Sequence, residues 1–182
     1  MPRLFVAIEL PDAVTSRAAA LKTAIPTARW VRPEHMHITL RFIGEVEDDR
    51  VEPIKSALAT VKATAFDITL GSVGRFPPSP KKAPRVLWVG IDKNPALVAL
   101  HNRVEAALAR AGIKPERGKD FNPHLTLARL KTHKPTPEAD TFLTAQTGFM
   151  AGIFTVECFV LIESVLSADG PQYTIQGQYA LI

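Results

Sequence analysis

Cysteine is almost missing from this chain. Cys158 stands alone among 182 residues, which removes an internal disulfide and any cysteine-based zinc cluster and fits a reducing compartment. Long apolar runs are missing too, so nothing in the sequence is suited to span a bilayer. The opening MPRLFVAIELPD breaks its short apolar stretch at Glu9 and Pro11, and so lacks the uncharged core and small-residue cleavage site of a signal peptide. A cytoplasmic protein with no membrane association is expected. Gly-rich phosphate loops of the P-loop or dinucleotide type are absent as well, and no cofactor is expected.

What is present is an ordinary globular composition, 46% hydrophobic and 22% charged, in a chain long enough for one compact core or two small lobes sharing one. The net charge of +4 makes an anionic partner plausible without identifying it. Arg75, Lys81, Lys82 and Arg85 cluster in a Pro-rich stretch, and Lys114, Arg117, Lys119, Arg129, Lys131 and Lys134 bracket residues 120–128. Singly these read as solvated loop charges; together they flank a candidate phosphate site.

Strand and helix periodicities alternate along the chain. RLFVAIEL reads as a buried strand, and Asp12 opens a helix whose stripe is Val14, Ala18, Leu21 and Ile25. HMHITLRFIG is a strand ended by Gly44. A helix from Asp48 carries Val51, Ile54, Leu58 and Val61. AFDITLGSVG and RVLWVGI are strands on either side of FPPSPKKAP, which is too rich in proline to be anything but loop. Asn94-Pro95 starts a helix with the stripe Leu97, Leu100, Val104 and Leu108. FNPHLTLARL is a strand, one short helix is expected near Glu138, and FTVECFVLIESVL and QYTIQGQYALI are two strands joined at SADGP. Strands dominate and few steps look like parallel crossovers. The fold expected is α+β, with mainly antiparallel sheet and helices outside.

HITL at His37–Leu40 recurs as HLTL at His124–Leu127. In a strand, residues two apart share a face, so His37 points with Thr39 and His124 with Thr126, while Ile38, Leu40, Leu125 and Leu127 point into the core. One such motif is weak evidence. Two predict a pair of pseudo-symmetric lobes flanking a central cleft, within one domain over residues 1–182. The chemistry that two imidazoles suit is displacement at phosphorus. An in-line reaction needs a base and an acid on opposite sides, and an unperturbed pKa near 6.5 lets one neutral and one protonated ring coexist near neutrality. The threonine hydroxyls can donate to the non-bridging oxygens. From spacing alone the two histidines could exchange roles.

The doubled motif resembles the two signatures of the 2H phosphoesterase superfamily. RLFVAIELP, HITLRFIGEV, GRFPPSPKKAPRVLWVG, FNPHLTLAR and ESVLSADGPQYT extend the resemblance, over nearly the whole chain, to its RNA 2′,3′-cyclic phosphodiesterase branch, also known as the 2′-5′ RNA ligase family. The resemblance implies hydrolysis of a 2′,3′-cyclic phosphate RNA end to a 2′-phosphate without metal, and a reversible 2′-5′ joining activity. It implies His37 as proton donor to O3′ and His124 as the base that activates water. RNA or an oligonucleotide with a cyclic end, transfer RNA fragments among them, is the expected partner of a monomeric enzyme. An ATP-independent 2′-5′ RNA ligase and a non-catalytic RNA-end binder are the alternatives.

Further substrate contacts are weighed by position. Arg129 lies five residues after His124, where the resemblance puts a phosphate contact but strict alternation puts the opposite face. Arg41 alternates in phase with His37 and Thr39, which places it in the cleft. Phe42, Phe76, Trp88 and Phe121 are candidates for stacking on a base, Phe76 and Phe121 above the others, and Arg85 is a candidate for the cleft rim. His35, His37 and His124 could be read as a three-histidine metal site, against which the threonine pairing would have no purpose. His101 and His133 read as surface residues, and Cys158 as a small buried hydrophobe.

Overall fold

A computed structural model describes residues 1–182. Its strands are β1 (Arg3–Glu9), β2 (Ala28–Trp30), β3 (His37–Glu45), β4 (Phe66–Phe76), β5 (Val86–Ile91), β6 (His124–Leu130), β7 (Met150–Val156), β8 (Cys158–Ser167) and β9 (Gly170–Ala180). The helices are α1 (Asp12–Ala19), α2 (Val51–Ala59), α3 (Pro95–Arg110) and α4 (Pro137–Ala145). None of them is long and apolar enough to cross a membrane. The strands run in the order β7-β4-β5-β6-β3-β1-β8-β9, with β2 added to β6, and every pairing is antiparallel. The architecture is α+β, as the periodicities predict.

The two halves of this order are the two lobes, β3-β1-β8-β9 and β7-β4-β5-β6, and they meet at the single register pair Ile38–Leu125. Beyond that pair the free edge of β6 is taken by β2, through Ala28–Leu130 and Trp30–Ala128. β3 and β6 therefore touch once and then diverge. Chain order and lobe order differ: β8 returns to pair with β1 and β9 with β8, and helices cross between lobes, α1 packing on β7 and α3 on β3.

FTVECFVLIESVL is two strands rather than one. β7 ends at Val156 on one edge of the sheet against β4, and β8 starts at Cys158 beside β1 in the other lobe. Continuous hydrophobicity hides the break at Glu157, because what separates the strands is the partner each finds far away in sequence. Cys158 is accordingly half-buried at the start of a strand, with Sγ accepting from Gln178 at 3.5 Å.

One face of the sheet is sealed by helices. Leu4, Val6, Ile8, Ile38, Leu40, Leu87, Val89, Leu125 and Leu127 pack there with the stripes of α1, α2 and α3 in one cluster of 34 buried residues. The opposite face carries a small apolar cluster, Phe5, Ala7, Val160 and Ile162, and otherwise the half-exposed side chains of the two motifs.

Arg41 turns to the sealed side and is buried against α3, where it also lines the cavity beside Thr39 and His124. The β1–β3 register steps from Val6–Arg41 to Ala7–Thr39, so Leu40 is an inserted bulge residue that turns both itself and Arg41 inward. At 6% exposure the guanidinium is paired with Glu105 of α3 and donates also to the Phe42 and Lys114 carbonyls. Removing one partner of such a buried pair strands the other charge. Glu105→Ala should therefore lower unfolding free energy by about 2 kcal/mol in urea melts, and Glu105→Gln, which keeps a hydrogen bond, by about 1 kcal/mol. Equal, negligible losses would mean that Arg41 is held by its carbonyl bonds alone.

Candidate active site

The two motifs lie on the adjacent strands β3 and β6, and their antiparallel register is centred on Ile38–Leu125. One step to either side brings His37 opposite Thr126 and Thr39 opposite His124. The arrangement has a local pseudo-two-fold axis, with a histidine and a threonine contributed from each strand to one face.

The second motif is bulged like the first. The β5–β6 register steps from Leu87–Ala128 to Trp88–Thr126, making Leu127 the inserted residue. HITLRF and HLTLAR thus follow one path: Leu40 and Leu127 bulge, Arg41 and Ala128 are buried, and Phe42 and Arg129 return to the face of the histidines. This extra residue reconciles Arg129 with the cleft, which unbroken alternation would not. Its guanidinium acts electrostatically on His37, His124 and Tyr173 together.

Both imidazoles are oriented in the same way. His37 Nδ1 lies 2.8 Å from the His35 carbonyl, and His124 Nδ1 lies 2.8 Å from the Asn122 carbonyl. A carbonyl can only accept, so Nδ1 carries the proton in each ring and Nε2 is the reactive nitrogen. Neither Nε2 has a protein partner, and the buried side-chain polar atoms without partners are Trp88 Nε1 and Tyr179 Oη; both Nε2 atoms therefore open to solvent. The hydroxyls of Thr39 and Thr126 are unpartnered and accessible by the same criterion.

Aromatic rings seat each histidine. His37 packs against Phe5 at 4.8 Å and edge-on to Tyr173 at 5.6 Å. His124 packs edge-on to Phe76 at 5.0 Å, and Phe76 leans on Trp88 at 5.3 Å. Trp88 reaches Phe76 across Gly74, where a Cβ would collide with the indole. Trp88 is thus a support for Phe76. Phe42 is 43% exposed, with the Arg3 guanidinium 5.0 Å above its ring. Phe42 and Phe121 line a cavity of about 390 Å³ that opens beside Thr39 and His124.

Other candidates fall elsewhere. Arg85 is exposed, immediately before β5, and the ladder puts Val86, not Arg85, opposite Arg129. Arg75 is buried and braces the Pro-rich loop, donating to Asp140 and to the Pro77 and Lys82 carbonyls. The His35 ring turns against Tyr173 at 4.9 Å, and no three His, Cys, Asp or Glu side chains converge as metal ligands. His101, expected at the surface, is half-buried and lines the same cavity as Phe42. Its signal in the sequence was its position four residues after Leu97, at the border of the apolar stripe of α3. Tyr173, one of two tyrosines, had no local signal.

Burial pushes both imidazoles below the ordinary histidine value of 6.5; the Nδ1 bonds oppose this, and Arg129 adds to it. For His37, the rings of His35 and His124 lower it further.

An all-antiparallel α+β sheet with two His-x-Thr half-sites on its central strands is the architecture of a two-histidine (2H) phosphoesterase. Residues 5–165 match the model of the 2′-5′ RNA ligase superfamily, and the chain belongs to that family. It is 33% identical over 174 residues to an Archaeoglobus fulgidus protein named RNA 2′,3′-cyclic phosphodiesterase, covering 94% of this chain and 96% of that one. A protein of the same name from Aeropyrum pernix is 35% identical over 86% of this chain and 88% of its own length. The structure of E. coli LigT complexed with 3′-AMP superposes with a TM-score of 0.77 at 27% identity, covering 100% of this chain and 99% of that one.

Histidine-ring ¹⁵N NMR should find His37 and His124 of the free protein both titrating below 6.5, with the neutral rings protonated on Nδ1. A midpoint at or above 6.5, or an Nε2–H ring, would contradict this geometry.

Proposed function

We propose that the chain opens 2′,3′-cyclic phosphates at RNA ends to 2′-phosphates, with His37 and His124 as the acid-base pair. The observation that carries this reading is the pair of unpartnered Nε2 atoms on one face, beside two unpartnered threonine hydroxyls. The names of the relatives support the choice of substrate.

In this reading His124 Nε2 takes a proton from water as its oxygen bonds to phosphorus. His37 Nε2–H gives its proton to O3′ as the P–O3′ bond breaks, and the P–O2′ bond survives. Thr39 and Thr126 donate to the non-bridging oxygens, where charge is held through the displacement. Arg129 stabilises the same anion. The enzyme ends with His37 neutral and His124 protonated, and exchange with solvent resets both. Which ring is acid follows the family resemblance; the local two-fold makes the two geometrically equivalent. Phe42, Phe76 and Phe121 supply aromatic surface near the phosphate on which a base of an RNA 3′ end could stack.

The same groups serve a second nucleophile. A 5′-hydroxyl seated in the cavity beside His124 in place of water would lose its proton to the same Nε2 and attack the same phosphorus, leaving a 2′-5′ bond, and the reverse of those steps would cleave it.

His37→Ala and His124→Ala should each lower turnover of a cyclic-phosphate nucleotide by about 10² to 10⁴-fold with the fold retained by circular dichroism. Near-wild-type turnover in either variant would defeat the mechanism. The pH profile of kcat/KM should be a bell whose maximum lies below 6.5: protonation of the base sets the acid limb and deprotonation of the acid sets the alkaline limb, and both groups have lowered pKa values. Activity lost to EDTA and restored by zinc would point to a metal site instead, and accumulation of joined strands over 2′-phosphate would point to the ligase direction.

A further inference from the structure

Nothing in the two-histidine chemistry uses His101, yet its ring touches both half-sites. Its Nδ1 lies 2.9 Å from the Leu40 carbonyl, and Leu40 is the bulge residue that follows Thr39. Its ring stacks on Phe121, three residues before His124, with centroids 3.9 Å apart and planes 3° from parallel. One turn along α3, Glu105 holds Arg41, the other inward residue of the bulge.

A bulge disrupts the ladder locally, and its polar groups need partners outside the regular pairing. In the second half-site the matching carbonyl, that of Leu127, accepts the backbone N–H of Val31 at 2.8 Å. That donor is main chain and survives any substitution except proline. In the first half-site the equivalent donor is a side chain.

We propose that His101 is a positioning residue: its Nδ1–H clamps the β3 bulge that follows Thr39 and so holds the first half-site in register with the second, the stack on Phe121 serving only to seat the ring. A carbonyl acceptor fixes the proton on Nδ1, and the neutral ring and the imidazolium both donate from that atom. His101 Nε2 has no partner and is not buried, so it faces the cavity and takes no part in the clamp.

Three variants separate the bond from the ring. His101→Asn places an amide N–H near the position of Nδ1, His101→Gln places it near Nε2, and His101→Phe keeps only the stack on Phe121. Read through turnover of a cyclic-phosphate nucleotide, which rests on the function proposed above, kcat should stay within about 3-fold of wild type for Asn. It should fall about 10-fold or more for Gln and Phe, with KM within about 2-fold and the pH optimum unmoved. The ring ¹⁵N resonances of His37 and His124 give a readout that needs no substrate: Gln and Phe should shift them, Asn should not. A wild-type protein inert on the nucleotide would sink the functional reading while the NMR comparison still decided the clamp. Three variants alike in kcat and in spectra would overturn it. So would unfolding of Gln and Phe with Asn folded, since the bond would then serve stability alone.

Discussion

The Ile38–Leu125 bridge is the contact on which the site depends. It joins two four-stranded lobes at one register pair, and a strand pair displaced by one residue would turn every side chain to the other face. Because Ile38 and Leu125 are fully buried under α1–α3, a slip of either strand would move its histidine and threonine into an apolar core. The cost of burying two polar groups without partners, about 1 to 3 kcal/mol each, adds to the few hydrogen bonds between β3 and β6 in fixing the register. Hydrophobic sorting on the sealed face thus sets the positions of the reactive groups on the open one.

The same sorting explains why both histidines are usable. Aromatic packing from Phe5, Tyr173 and Phe76 desolvates the rings and lowers their proton affinity, while the carbonyls of His35 and Asn122 hold each proton on the side away from the cleft. These bonds favour the charged form and limit the fall. The outcome is a pair of rings that neither stay permanently charged nor lose the capacity to donate. A phosphate anion entering between them would raise both proton affinities at the moment when one of the rings must carry a proton.

Much of this was legible in the sequence. The period-two pattern of HITL and HLTL exposed the half-sites, and the stripes of α2 and α3 lay where the spacing put them. Two kinds of feature were not legible, and both are long-range. β7 and β8 look like one strand because hydrophobicity cannot reveal that Val156 and Cys158 pair with different lobes. The bulges hid inside regular alternation, which turned Arg41 toward the cleft. A trace of them was present nonetheless: aligning HITLRF with HLTLAR sets Arg41 against Ala128, and alanine suits a buried position better than a substrate contact. Arg41 can stand there only because Glu105, 64 residues away, neutralises it. No local pattern announces such a partner.

The local two-fold raises a problem that the sequence itself resolves. In the proposed reaction acid and base must differ, yet the motifs agree through their first four positions apart from Ile38 against Leu125. They part at the fifth on the sealed side, Arg41 against Ala128, and at the sixth on the open face, where one strand returns Phe42 and the other Arg129. The antiparallel register sends these two to opposite ends of the ladder: Phe42 beyond Thr39 and His124, Arg129 beyond Thr126 and His37. One end of the cleft therefore carries Phe42 with Phe121 opposite it, and the other carries Arg129. A cation near the ring assigned as donor makes its proton more readily transferred while lowering the population that holds it, and an anionic substrate offsets that loss on binding. The difference between the ends, together with the different seats of the two rings, would give a symmetric frame its direction in the proposed reaction.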